Sequence, residues 1–341
     1  MKNPIIIILL ISLFSCTNAP EKEKEVANLA ATEIVIKGEA QGTTYTVKYL
    51  VEDYEEGLKE RFDQLLYEID LSMSTYVPNS KISRLNVGDT VELDDLFLSV
   101  YKLSYNINIE TEGAFDPTIG PLIKAWGFDF ANPQKMNSVI VASLLESSGF
   151  DQFVVKGKQM YRTNDAARIN FNAVAQGYSV DVMAKMLEQM EIENYYIELG
   201  GELKVKGKNK FGYWWVIGID RPDGKNLERN LAQRISLENS AMATSGNYRN
   251  FYEMDGKRYS HTLNPKTGYP AENSLLSATV ITNDCGTADA LATAFMVMGR
   301  EKSISYLEQH PNAKAYLISS SKDGEFETYV TPNLEQYLLN D

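Results

Sequence analysis

The chain is poor in the residues from which many metal and nucleophilic centres are built. Its 341 residues include two histidines, His261 and His310, and two cysteines, Cys16 and Cys285. Two histidines exclude a multi-histidine metal site, and two cysteines exclude a disulfide-rich scaffold. Positive charge is also scarce: Lys and Arg total 33 against 46 Asp and Glu, a formal net charge of -13. That balance argues against a nucleic-acid partner, whose binding needs many neutralised phosphates. An anionic ligand would need a local device, such as a metal, to hold it. The N-terminal apolar run, Ile5 to Phe14, stops at ten residues, short of the about 20 that a membrane-spanning helix needs. There is no Walker A loop, Rossmann fingerprint, zinc signature or Gly-x-Ser-x-Gly elbow. A Ser-His-Asp hydrolase stays open by inventory alone. What remains is ordinary for a globular protein, with 44% hydrophobic and 23% charged residues, long enough for two modest domains or one large one.

Lys2 is the only charge before residue 21, and the apolar run that follows fits the h-region of a secretory signal. It ends in Leu13-Phe14-Ser15-Cys16. A small residue before a cysteine at this place resembles the bacterial lipobox, which implies lipidation of Cys16 and loss of residues 1–15. An ordinary cleaved signal with an incidental cysteine is the alternative. Residues 16–32 are polar and charged and read as a lipid-anchored flexible tether. Residues 33–341 form the folded body. After lipidation Cys285 would be the only free thiol.

Within the body, Ile34 to Lys37 and Thr44 to Val51 read as strands around Gly38-Glu39-Ala40-Gln41-Gly42. Leu58, Phe62, Leu65, Leu66 and Ile69 recur at helical spacing and predict a helix over Tyr54 to Ser72. Further helices are expected over Leu93–Ile109, Asn137–Ser147 and Asn172–Met190. Strands are then expected at Tyr195–Leu199, Glu202–Val205, Tyr213–Ile219, Arg234–Leu237, Ala241–Thr244 and Leu275–Ile281. Two helices, Thr287–Met298 and Lys302–His310, precede strands Ala315–Ser319 and Glu325–Tyr329. Helices first, strands later and a helical return favour an α+β fold over an alternating α/β one.

Four polar segments interrupt these elements: Met73–Ser80, Gly113–Leu122, Asn170–Asp181, and Ala243–Arg249 continuing through Ser260–Gly268. Asp289 and Thr293, four residues apart, share one helix face and are the most readable metal candidates. Mg2+ takes oxygen ligands and needs only one or two carboxylates from the protein. The competing reading makes Thr287 an N-cap and Asp289 a first-turn acid serving the helix dipole. His261 is a candidate proton acceptor near neutral pH, with a hydrogen-bonded loop role as the alternative. His310, beside Pro311, reads as a helix terminator. Tyr76, Phe115, Trp126 and Tyr178 could stack on an aromatic ring or pack in the core.

Taken in order, these segments resemble the ApbE family of FAD:protein FMN transferases over roughly residues 33–335. The marks are Gly42-Thr43-Thr44-Tyr45, Met73-Ser74-Thr75-Tyr76, Gly113-Ala114-Phe115-Asp116-Pro117-Thr118, Ala175-Gln176-Gly177-Tyr178, Gly200-Gly201, Ala243-Thr244-Ser245-Gly246, His261-x-x-Asn264-Pro265-x-Thr267-Gly268, and Ala288–Ala294. The resemblance implies a mixed, two-lobed α+β fold with the flavin site between the lobes. It also implies cleavage of FAD, transfer of FMN through a phosphodiester to a Ser or Thr of a partner protein, and release of AMP. It assigns Mg2+ to Asp289, Thr293 and the Ala173 carbonyl, and a proton-relay role to His261. It places FAD against Gln41, Tyr76, Ala114, Phe115, Asp116, Asn170, Gln176 and Leu263. The acceptor would be a separate protein, for which subunits of membrane redox complexes are suggested, and the site would be periplasmic, with the inner membrane favoured. The chain has Asn264 and Asn170 where the family commonly has Asp, and Gln176 where it often has Lys or Glu. Asn264 cannot serve as a base, whereas Asn170 and Gln176 keep hydrogen-bonding capacity. Hydrolysis of FAD to FMN and AMP, or FAD binding without catalysis, are the alternatives.

Overall fold

The structure is a computed structural model that describes residues 32–53, 56–128, 134–223, 230–247, 251–254, 257–260 and 262–340. The chain opens with β1 (Thr32–Ala40) and β2 (Thr43–Val51), joined by the tight turn at Gln41 and Gly42. Both turn residues have positive φ, 52° and 74°, a conformation that costs glycine nothing and strains Gln41. Helix α1 (Leu58–Met73) follows and buries Leu58, Phe62, Leu66 and Ile69. Helix α2 (Lys81–Val87) is capped by Ser80, and β3 (Val91–Glu92) leads into α3 (Asp95–Glu110), capped by Asp94. Helices α4 (Gly120–Trp126) and α5 (Ser138–Glu146) come next, then the hairpin β4 (Phe153–Lys156) and β5 (Gln159–Arg162).

Helix α6 (Ala175–Gln189) leads into strands β6 (Tyr195–Leu199) and β7 (Glu202–Lys206). Strands β8 (Trp215–Asp220), β9 (Leu231–Leu237) and β10 (Ser240–Gly246) follow, with the small hairpin β11 (Phe251–Met254) and β12 (Lys257–Ser260). The chain ends with β13 (Leu275–Thr282), α7 (Cys285–Gln309), β14 (Lys314–Ser320), β15 (Phe326–Val330) and β16 (Leu338–Leu339).

Eight strands form one antiparallel sheet in the order β1-β2-β6-β7-β10-β13-β14-β15. Alternation along these strands separates two cores, because successive side chains leave a strand on opposite faces. Ala278 and Val280 of β13, with Ala315 and Leu317 of β14, pack with Phe62, Phe97, Phe171 and Phe295 of the helical layer. Ile281, Tyr316 and Ile318 point the other way, onto Trp215, Ile217 and Ile235 of the small sheet β16-β9-β8. The fold is α+β, as the order of elements predicts.

Helix α7 joins the two helices expected at Thr287–Met298 and Lys302–His310, but Gly299 inside it is non-helical, with φ 75° and ψ 176°. The Asn273 amide donates to the Met296 carbonyl at 2.9 Å, satisfying a group near the kink. His310 closes the helix as expected, with Nδ1 2.7 Å from the Tyr306 carbonyl. Helices α2 and α4 and the three-stranded sheet β3-β5-β4 are additions to the expected elements.

Candidate active site at the crossing of two helices

The segment Asn170–Asp181 is met by the Met73–Ser80 and Gly113–Leu122 segments and by the β1–β2 turn. Its approach is fixed from two sides. Asn86 exchanges two hydrogen bonds with the backbone of Ile169, at 2.8 and 2.9 Å. Phe171 packs edge-to-face on Phe97 of α3, with ring centroids 5.3 Å apart. The segment then meets its neighbours in turn. The Asn170 amide donates to the Pro117 carbonyl at 2.8 Å. The Asn172 amide group donates to the Tyr76 hydroxyl at 3.0 Å. Gln41 donates to the Ser179 hydroxyl at 2.7 Å, while its own Oε1 is buried without a hydrogen-bond partner. Gln176 lies against the glycine turn after β6, with its Nε2 2.9 Å from where a Cβ on Gly200 would be.

Helix α7 reaches the same place. Its N-terminal amides, those of Cys285 and Gly286, donate to the two carboxylate oxygens of Asp181, each at 2.9 Å. Asp181 also pairs with Lys204 at 2.9 Å. Burial pushes the Asp181 carboxyl up, and Lys204 with the two amides holds it back. Burial pulls the Lys204 ammonium down, and Asp181 more than offsets it. With three donors on one carboxylate, the ionised pair is the state that the geometry favours. Thr287 is therefore not the N-cap: the helix begins at Cys285, two residues earlier, and a neighbouring helix supplies the cap.

This start carries Asp289 past the first turn, to where α6 and α7 cross. The crossing needs Gly177, since a Cβ there would lie 2.5 Å from the Cys285 carbonyl oxygen and 2.8 Å from the Asp289 Cβ. Asp289 is 7% exposed, and its carboxylate accepts one hydrogen bond, from the Gly177 amide at 3.1 Å. Burial raises its pKa, and that single bond offsets only part of the cost. One turn on, the Thr293 hydroxyl is 3.3 Å from the Ser245 hydroxyl at the end of β10.

The remaining expected residues divide by role. Phe115 is 2% exposed and belongs to the helical core; Ala114 is 7% exposed beside it. Asp116 Oδ1 accepts from both the amide and the hydroxyl of Thr118, at 2.8 and 2.6 Å. Leu263 is buried with Ile119, Leu122, Trp126 and Val141. Asn264 Oδ1 accepts from the amides of Lys266 and Thr267, at 2.9 and 3.3 Å, so its side chain caps a turn, a task that Asp performs equally well. Of the four aromatic candidates, Tyr76 is the exposed one, at 59%. Trp126 is core and donates through Nε1 to the Gly268 carbonyl at 2.9 Å. His261 and Cys16 lie outside the described residues.

Two cavities, of about 680 and 360 Å³, flank Asn264 and share Val297, Met298 and Lys302; Ala114 lines the smaller one. The acids at the helix crossing line neither. Among the described residues no three His, Cys, Asp or Glu side chains gather into a metal-holding group. Asp289 and Thr293 offer oxygen ligands, and Asp289 is a buried carboxylate with a single hydrogen bond. That set fits a hard cation such as Mg2+. Residues missed by sequence reasoning include Ser179, Asp181 and Ser245, which lay inside quoted segments without a role, and Glu202, which follows the quoted glycine pair.

The fold and site define a class: an α+β protein with a buried acid where two helices cross beside a polar segment. The chain belongs to the ApbE family, whose model matches residues 41–317. It is 34% identical over 319 residues to an FAD:protein FMN transferase of Vibrio cholerae, covering 90% of this chain and 93% of the relative. It is also 34% identical over 334 residues to an FAD:protein FMN transferase of Haemophilus influenzae, covering 94% and 93%. The flavin transferase ApbE of Vibrio cholerae superimposes with a TM-score of 0.81 at 32% identity, covering 90% of this chain and 100% of that one. The apo flavinyl transferase ApbE of Pseudomonas stutzeri does so with a TM-score of 0.80 at 30% identity, covering 90% and 97%.

Proposed function

We propose that this chain is a Mg2+-dependent FAD:protein FMN transferase. The observation that carries the proposal is Asp289, a buried acid whose one hydrogen bond comes from Gly177, within the segment that Gln41, Tyr76 and Pro117 also contact. Relatives and solved structures bearing the transferase name span nearly the whole chain. Asp289, the Thr293 hydroxyl and the Ala173 carbonyl would hold the ion, and it would supply positive charge to the pyrophosphate.

The chain's own groups then bind and orient. Gln41, Tyr76, Ala114, Phe115, Asp116, Asn170, Gln176 and Leu263 are the proposed lining of the FAD site. Gln41 has a free, buried carbonyl oxygen to offer. Tyr76 offers an exposed ring, whereas the buried side chains of Phe115 and Leu263 would act by shaping the wall. In the transfer, the oxygen of an acceptor Ser or Thr attacks the phosphorus on the FMN side. The bond from that phosphorus to the bridging oxygen breaks, and AMP leaves with the oxygen. His261 is the proposed acceptor of the hydroxyl proton. We further propose that Cys16 carries a lipid anchor that holds the body at the periplasmic face of a membrane, the inner one being favoured. The acceptor would be a subunit of a membrane redox complex.

The test is incubation with FAD, with and without Mg2+, while AMP, free FMN and protein-bound flavin are followed together on an added acceptor protein. AMP release that depends on Mg2+, matched by flavin on the acceptor, is the expected result. Free FMN alone would make the protein a hydrolase, and tight FAD binding without AMP would make it a binding protein.

A further inference from the structure

Asp289 is not the only acid buried at this crossing. Glu202, the first residue of β7, is 8% exposed. It follows Gly200 and Gly201, both at positive φ, in the turn against which Gln176 packs. Its Oε2 is shut off from solvent and has no hydrogen-bond partner. Burial pushes its carboxyl up, and the negative charge of Asp289 pushes it further, with a smaller contribution from Glu198. The nearby ammonium on the same strand, Lys204, is engaged by Asp181 at 2.9 Å and by Asp284 at 3.9 Å. The Cys285 thiol is buried in the field of these acids and held neutral. Glu202 is thus a second buried acid on a strand that packs against both α6 and α7, while the nearby Lys204 is spent elsewhere. A buried carboxylate oxygen without a donor is strongly unfavourable unless something positive meets it.

We propose that Glu202 is a further group of the cation site, its Oε2 facing the same divalent cation as Asp289 and Thr293, directly or through a water that the ion holds. This rests on the Mg2+ reading above. It accounts for the orphaned oxygen and gives the site a second protein negative charge. Two carboxylates favour a divalent over a monovalent cation.

The probe is Mn2+, titrated without FAD into the full-length protein and followed by electron paramagnetic resonance. Thermal unfolding in EDTA and in Mg2+ runs alongside. D289N is expected to lose Mn2+ binding. E202Q is expected to bind Mn2+ about tenfold or more weakly, the range for groups that support a metal site. In EDTA it should unfold at or above the wild-type temperature, because the cost of burying a titratable acid is gone. In Mg2+ its gain in unfolding temperature should be smaller than that of the wild type. Unchanged Mn2+ affinity in E202Q, with loss in D289N, would overturn the role of Glu202 alone. E202Q unfolding well below the wild type in EDTA would make it a structural acid and overturn the proposal as well. Absence of Mn2+ binding by the wild type would overturn the Mg2+ reading and this inference together.

Discussion

One carboxylate oxygen of Asp116 accepts from both the amide and the hydroxyl of Thr118, and so folds the turn that follows Ala114 and Phe115. Burial raises its pKa and those bonds recover only part of the shift. A carboxyl whose folded-state pKa lies above its unfolded value binds its proton more tightly when folded. Its favourable contribution is therefore present at low pH and lost as pH rises through the folded-state pKa, at about 1.4 kcal/mol per unit of difference. D116N keeps an Oδ1 for both Thr118 donors and has no charge to bury. It should match the wild type near pH 4 in thermal unfolding and exceed it increasingly toward pH 7. A gap that does not grow with pH would contradict this. That Asp289 and Thr293 lie one turn apart on a single helix was legible at this scale because spacing of four on a helix is a geometric statement. Glu202 was not, since a single acid at the start of a strand has no pattern; only burial distinguishes it. Asn264 differs from the family's usual Asp, yet the turn it caps needs only an acceptor oxygen.

At the level of elements, the site is made by how closely α6 and α7 approach. Gly177 permits that approach, and its amide is the donor that Asp289 has. G177A puts a methyl group 2.8 Å from the Asp289 Cβ and 2.5 Å from a backbone oxygen. The helices must separate, at a cost of about 1–3 kcal/mol. Mg2+ binding should suffer more than an equal loss of stability elsewhere would cause. Denaturant unfolding with a parallel Mn2+ titration checks both, and normal affinity in a destabilised G177A would contradict the role given to the crossing. Central strands of the large sheet were legible as short apolar runs because both of their faces meet a core. Helix α7 was legible in position but not in onset: Asp181, distant in sequence, supplies its cap. Helices α2 and α4 have seven residues each, too few turns for a periodic signal to rise above its surroundings.

Over the whole molecule, the eight-stranded sheet divides a helical layer from a second small sheet, and the candidate site lies on the helical side. A chain with net charge -13 repels FAD at long range, and the cation proposed at Asp289 would link an acidic protein to an anionic substrate. Contacts at the start of α6 required the fold, because Gln41, Tyr76, Pro117 and Asp289 each reach that segment only across a long stretch of sequence. The most direct measurement is AMP release from FAD by D289N beside the wild type in saturating Mg2+, with FAD binding measured on both. The account predicts that D289N binds FAD but releases AMP at least about a hundredfold more slowly. Wild-type turnover in D289N would contradict it.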